Sequence, residues 1–488
     1  MGIETSTVMV SIIGPEVVLV VAALGIMMTD LFVKNDAEQP FLMWIGVVGI
    51  LGALAVSTSV WGKEVAYGFY GMVVADNFAR FFTTLFLIAA GLTLLLSSRY
   101  VRVQGIAAGE YYTLTLFATT GMVLMVQSTD LIMLFLGLEV LSVSLYVLAG
   151  MTPDSNRSAE SSLKYFVLGA FSTGFLLYGI ALLYGVCGST RLAEIGTALA
   201  QKQLLQEPML LAGMGLLLAG FGFKIAIAPF HLWAPDVYEG APTPITAFMS
   251  VGVKAAAFAA LLRVFAGSLA ALDVQWKEIL WIGSVLTMIV GNVAAQRQEN
   301  IKRMLAYSSI AHAGYILIGI VAGGAAGTGA VLYYLLVYTL MNIGAFAVVI
   351  AIEQKGEKNL AISDYAGIGT RHTALGAAMA VFMFSLAGIP PFSGFMGKFY
   401  IFSAAIKAGY IGLTILAVLN SLVSVYYYLR VTVMMFMKEP AAGAEVPAVC
   451  FHPAIVGVLL TAIFFTVQMG LFPSSYLQFA QDSIKMFL

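Results

Sequence analysis

Apolar residues follow one another along this chain in long continuous stretches, separated by short polar or Pro/Gly-rich interruptions, with none of the alternation a half-buried strand shows. A helix rising about 1.5 Å per residue needs roughly 20 apolar residues to cross a hydrocarbon core of about 30 Å. By that measure about fourteen spans are expected, centred near residues 22, 50, 87, 118, 140, 174, 219, 255, 286, 313, 340, 390, 422 and 463. In lipid a helix satisfies all its backbone polar groups within one segment, so continuous runs predict an all-α polytopic membrane protein.

Two spans depart from the pattern. Span 7 holds Lys224 and then meets Pro229 and Pro235 in KIAIAPFHLWAPD, and span 12 is interrupted at Pro390-Pro391 in GIPPFSGFMGKF. As one straight helix the apolar run of span 12 would be about 50 Å long, well beyond the bilayer core. Both are therefore expected to be broken helices with a lysine beside the break. Spans 7 and 12 are an odd number apart and run in opposite directions. Interrupted segments at matching places of two halves point to an inverted-repeat transporter. Within a single membrane domain, 1–488, the expected divisions are residues 1–105 (spans 1–3), 106–270 (spans 4–8), 271–438 (spans 9–13) and 439–488 (span 14), the middle two being the repeats. Span 8 carries Lys254 near its centre, whereas span 13 has no lysine at matching depth.

Composition strengthens this reading: 60% of the 488 residues are hydrophobic and 10% charged, against about 25% charged in soluble domains. A net charge of -1 points to no nucleic-acid or polyanionic partner. Loops numbered from the N-terminus differ in charge, with 13 basic residues in odd loops and 8 in the even loops and tails. That bias places odd loops in the cytoplasm and both termini outside, on the periplasmic face of a bacterial inner membrane. The start, MGIETSTVMVSIIGPE, has no basic n-region or cleavage pattern, so the first apolar run is expected to be retained.

Four charges remain inside spans: Glu139, Lys224, Lys254 and Lys398. Glu139 lies nine residues into Leu131–Ala149 and Lys254 ten residues into 245–265, too deep to snorkel easily. A charge at that depth costs at least about 2.5–3.5 kcal/mol, which makes a functional role the default expectation. Lysine suits proton transfer because desolvation can make its ammonium release a proton, whereas arginine stays charged. A carboxylate at about 4 Å, worth roughly 4 kcal/mol at an effective dielectric of about 20, opposes that release. The expected relay has Glu139 modulating Lys224, Lys254 crossing the centre and Lys398 delivering the proton. His312, in AYSSIAHAGY, and Lys164, opening span 6, are further relay candidates.

Each candidate has a plainer competitor. Glu139 and Lys224 could be a structural ion pair, but pairing leaves two more lysines without partners. His312 is as readily a packed, hydrogen-bonded core histidine, and Lys164 a snorkelling surface residue. His231, Asp236 and Glu239 read as interfacial or solvated, and the many Met, Phe and Tyr residues as packing or lipid-facing material. The two cysteines, Cys187 and Cys450, lie too far apart to suggest a cluster, and no G-x-G-x-x-G, Walker A, C-x-x-C or paired-histidine motif occurs, so no cofactor or metal is expected in this chain.

The stretches KYFVLGAFSTGFLLYG (164–179), FKIAIAPFHLWAPDVYEGAPTPITAFMSVGVKAA (223–256), NIKRMLAYSSIAHAGY (300–315) and GIPPFSGFMGKFYIF (388–402) resemble the antiporter-like membrane subunits of respiratory complex I, NADH:quinone oxidoreductase, over essentially the whole chain. DVYEGAPTP and GKFYIF are similar to its subunit N branch. The resemblance implies Glu139 and Lys224 as a coupled pair, Lys254 as the linking lysine and Lys398 as the exit-side residue. It also implies sister antiporter-like subunits as partners in the membrane arm, with FMN, iron–sulfur clusters and quinone in other subunits. Two other readings stay open: a subunit of a multi-subunit Na⁺/H⁺ antiporter, and a structural subunit that moves no ions.

Overall fold

The computed structural model describes residues 2–32, 39–62, 64–200, 202–440 and 447–485. The chain ends Met1 and 486–488, whose placement outside the cytoplasm is expected, lie outside the described residues. The fold is almost entirely helical. In chain order the helices are α1 (Gly2–Asp30), α2 (Gln39–Ser59), α3 (Asn77–Gln104), α4 (Ala108–Gln127), α5 (Leu131–Ala149), α6 (Asn156–Cys187), α7 (Leu192–Leu199), α8 (Pro208–Ile225), α9 (Trp233–Gly240), α10 (Thr243–Phe248) and α11 (Lys254–Leu261). They continue as α12 (Asp273–Gln296), α13 (Ile301–Ala322), α14 (Gly324–Ile352), α15 (Ile368–Arg371), α16 (Thr373–Ala387), α17 (Ser393–Lys407), α18 (Ile411–Met437), α19 (Pro453–Leu471) and α20 (Pro473–Ile484). A short antiparallel hairpin, β1 (Ala66–Gly68) and β2 (Val73–Ala75), adds strand structure that the uniform apolar runs did not predict.

Twelve described helices are long and apolar enough to cross a membrane. The expected span near 118 is α4, a 20-residue helix outside those twelve, and the expected span near 390 is the pair α16 and α17, each of 15 residues. The expected span near 255 is one buried rod in which α10 and α11 are joined by a π-helical segment, Met249–Val253, and followed by another, Leu262–Ser268. That rod, α13 and α14 are buried nearly throughout and form the centre, while in α2, α6, α18 and α19 well under half of the residues are buried.

The connections sort to two ends. At one end the Tyr100 hydroxyl donates to Glu353, Lys302 donates to the Ala241 carbonyl, and Arg303 pairs with Asp236 and Glu239. At the other, Val73 bridges to Ser128, Asp130 bridges to Arg191, and Arg263 makes a buried two-pronged ion pair with Asp76.

Both expected breaks are present. α8 ends on Ala226 in the left-handed region (φ 58°), and α16 ends on Gly388 there (φ 85°). The next N–H folds back in each case, Ile227 to Gly222 O and Ile389 to Phe384 O, both at 2.9 Å. This closes carbonyls that a helix end would otherwise leave open. Each break contains a cis bond, Ala228-Pro229 and Pro390-Pro391.

Candidate functional site

Lys224 sits in the last turn of α8, buried. Its Nζ donates to Ser142 Oγ on α5 (2.8 Å) and lies over the rings of Tyr165 (5.4 Å) and Tyr146 (5.5 Å). Ring faces attract an ammonium when water is excluded. Glu139, one turn before Ser142 on α5, is half-buried, and its Oε1 has no hydrogen-bond partner. Its charge acts on Lys224, yet among the described residues the two make no direct ion pair. The fold thus brings the expected pair into one neighbourhood, with the Ser142 hydroxyl holding the ammonium. The backbone freed by the break is satisfied by side chains: Trp233 Nε1 donates to Phe223 O (2.9 Å), and Thr287 Oγ1 accepts from the Ala228 N–H (2.9 Å).

Lys254 follows the first π-helical segment of the central rod. Its Nζ donates to the Ser309 carbonyl on α13 (2.7 Å) and also contacts Ser309 Oγ. One turn further along α13, His312 is clamped between two phenols, with Nδ1 2.6 Å from the Tyr334 hydroxyl and Nε2 2.9 Å from that of Tyr428. Tyr428 in turn contacts Ser308 Oγ. A neutral imidazole offers one donor and one acceptor, so this clamp uses both nitrogens.

Lys398, on α17 past the second break, is buried and spans back to the end of α16. Its Nζ donates to Ala387 O (2.9 Å), Leu386 O (3.2 Å) and Ser421 Oγ on α18 (2.8 Å), and it lies over the Tyr315 ring (4.9 Å). The terminal carbonyls of a helix carry partial negative charge, so they suit an ammonium. Asn292 anchors the same region, donating to Tyr315 OH (3.1 Å) and accepting from Tyr427 OH (3.0 Å).

Other candidates fall elsewhere. Lys164 is over a third exposed and pairs with Glu160 (2.6 Å) and Asp236 (2.7 Å). Asp236 and Glu239, expected to be solvated or interfacial, are partly exposed and tied into an ion-pair network by Lys164 and Arg303. His231, expected at the interface, is buried beside the first break. Buried charge also extends past the four residues picked from span depth: Glu16, Lys302 and the Asp76–Arg263 pair are buried near span ends. Charge depth could not mark these, because a span end read from sequence is uncertain by several residues. Tyr334 and Tyr428, expected to be packing or lipid-facing, carry hydrogen bonds to His312 instead. Ser142, Ser309 and Ser421 are missed as well, and only the Ser308-Ser309 pair beside His312 in AYSSIAH gave any signal.

Among the described residues no group of His, Cys, Asp or Glu could hold a metal ion. Residues 128–424 match the family described as NADH:quinone oxidoreductase/Mrp antiporter, TM. The chain is 52% identical to NADH-quinone oxidoreductase subunit N of Trichlorobacter lovleyi over 98% of both chains, and 44% identical to that of Chloroflexus aggregans over 97% of this chain and 96% of the relative. A chain of respiratory complex I from Thermus thermophilus, 36% identical, superposes with a TM-score of 0.80 over 95% of this chain and 98% of that one. A chain of the Mrp complex from a Dietzia species shares the fold alone, at 21% identity and a TM-score of 0.83, over 96% of each. The family match, the full-length relatives and the geometry agree: this chain belongs to the NADH:quinone oxidoreductase/Mrp antiporter family, in its subunit N branch.

Proposed function

We propose that this chain is a proton-translocating, antiporter-like subunit in the membrane arm of a bacterial NADH:quinone oxidoreductase. Electrons pass from NADH to quinone through FMN and iron–sulfur clusters in partner subunits, and this chain carries protons only. One observation carries the reading. Among the described residues, Lys224, Lys254 and Lys398 are buried and hydrogen-bonded to hydroxyl or carbonyl oxygens, with no ion pair to any carboxylate. A salt-bridged lysine is held in its charged form, whereas one facing neutral oxygens in a dry site can load and release a proton.

In this scheme Glu139 modulates Lys224, Lys254 passes the proton across the centre through the His312, Tyr334 and Tyr428 cluster, and Lys398 delivers it. Fourteen crossings suit the arrangement: the twelve apolar helices, α4, and α16 with α17 as one broken span. Residues 106–270 and 271–438 act as the inverted repeats, flanked by 1–105 and 439–488. The repeated break geometry at Ala226 and Gly388 supports that pairing, and the basic odd loops support a cytoplasmic placement of their end with both termini periplasmic.

The test is proton uptake per electron pair in the assembled complex. Lys254→Arg keeps the charge but holds its proton, so pumping should fail while NADH oxidation still reaches quinone. Unimpaired pumping in Lys254→Arg would remove position 254 from the path. Co-purification with flavin and iron–sulfur proteins separates this reading from a multi-subunit Na⁺/H⁺ antiporter, which the Dietzia likeness leaves open as a fold relative.

A further inference from the structure

A cavity of about 650 Å³ opens between the end of α3, the end of α14 and the start of α19, at the end of the molecule where odd loops gather. Arg99, Arg102, Lys355 and His452 line it. The two arginines are three residues apart on α3 and so share a face of that helix. Burial first, then the charges of Arg99 and Arg102, hold the His452 imidazole below its usual range. Among the described residues, Arg99, Arg102 and Lys355 make no ion pair.

The wall holds one carboxylate against these three basic side chains. Glu353 Oε1 accepts from the Tyr100 hydroxyl (3.0 Å) and Oε2 from Thr243 Oγ1 (2.6 Å), and burial raises its carboxyl above the usual carboxylate range. Three basic side chains against one carboxylate leave the wall net positive. α19 starts at its wall, so the positive end of that helix adds to the field.

The same cavity borders an apolar surface. Phe451 at its rim is exposed, and from there Gly457, Leu460, Thr461 and Phe464 form an exposed stripe down α19. Basic charge at the end of an outward, lipid-facing stripe lets one amphiphile engage both features, its headgroup in the cavity and its acyl chains along the helix. We propose that this cavity binds the phosphate headgroup of an anionic phospholipid, whose acyl chains lie along the outer stripe of α19. The site is independent of the proton path, and neither arginine touches Lys224, Lys254 or Lys398.

The experiment uses the purified, delipidated complex containing this chain, a photoactivatable phosphatidylglycerol, and a matched phosphatidylcholine probe. Phosphatidylglycerol should label residues 451–464, and the neutral probe should not. Arg99→Gln with Arg102→Gln should cut labelling roughly 30-fold, and Lys355→Gln about fivefold, from about 1 kcal/mol per basic residue at the surface. Arg99→Lys with Arg102→Lys should restore labelling, showing that charge and not folding is read. Should the double glutamine variant fail to assemble, Lys355→Gln in its exposed loop carries the test. Equal labelling by the two probes, or undiminished labelling in the glutamine variants, overturns the proposal. So does displacement of phosphatidylglycerol by inorganic phosphate at equal concentration, which would make this a site for free anions. Absence of labelling because a protein segment fills the cavity in the complex also overturns it.

Discussion

The two broken spans are built alike in backbone and unlike in charge. Aligning Ala226 with Gly388 superimposes the left-handed cap, the returning N–H and the proline three residues on. The lysines do not align. Lys224 precedes its break, where the second span has Leu386, and Lys398 follows its break, where the first has Asp236. Their surroundings differ accordingly. Lys224 has one hydroxyl, two phenol rings and a carboxylate nearby but not bonded, whereas Lys398 has two helix-terminal carbonyls, one hydroxyl and one phenol ring. The first lysine has the Glu139 carboxylate in its neighbourhood, the group proposed to modulate it. The second is held by fixed backbone dipoles. A repeated break thus supplies a stopping point for each helix, while the charge is positioned separately in each half.

Four experiments would break or sharpen that contrast. The largest effect is expected from Lys224→Ala and Lys398→Ala, each lowering proton transfer through this chain by about 10²-fold or more, measured as proton uptake per electron pair. Lys398→Ala should also destabilise the chain more than Lys224→Ala does, because it leaves the Leu386 and Ala387 carbonyls short of a donor, at about 1–3 kcal/mol for each buried group. Equal thermal stability of the two variants would undo the distinction.

Next come the serines. Ser142→Ala removes the hydrogen bond that Lys224 makes and should cost about 1.5–3 kcal/mol, as for a bond to a charged group, while Ser421→Ala leaves Lys398 its two carbonyls and should cost less. Unfolding midpoints of the two variants measured side by side check the order. Third, Gly388→Ala should destabilise by about 1–2 kcal/mol, since a Cβ in the left-handed region is strained and here would press on Lys398 Cδ at 2.9 Å. Ala226→Gly should be neutral or mildly stabilising, and unfolding midpoints of the pair read both. The smallest change belongs to Asp236→Asn, the counterpart of Lys398 in the alignment. It breaks partly exposed ion pairs to Lys164 and Arg303 and should cost less than about 1 kcal/mol each, with pumping retained.

Much of this was legible beforehand. The interruptions at Pro229 and Pro390-Pro391 marked both breaks and the lysines beside them, and the depth of Glu139 and Lys254 singled those two out as candidates, since a charge far from either end of a span cannot reach water. Less legible were the groups that hold those charges. Nothing in the sequence tied Ser142 to Lys224, Ser309 to Lys254 or the Leu386 and Ala387 carbonyls to Lys398, because these contacts join residues far apart in the chain. The tyrosines that clamp His312 looked like any others in an apolar helix.

The sequence by itself determined roughly where the apolar spans run and which charges lie deep inside them, because bilayer thickness and the cost of burying charge act on each segment separately. Only the tertiary structure decided which faces meet. Lipid tails are as apolar as a helix interface, so membrane helices carry no amphipathic stripe to announce their partners. The ligands of each lysine, the π-helical segment before Lys254 and the cationic cavity beside α19 all depend on that packing.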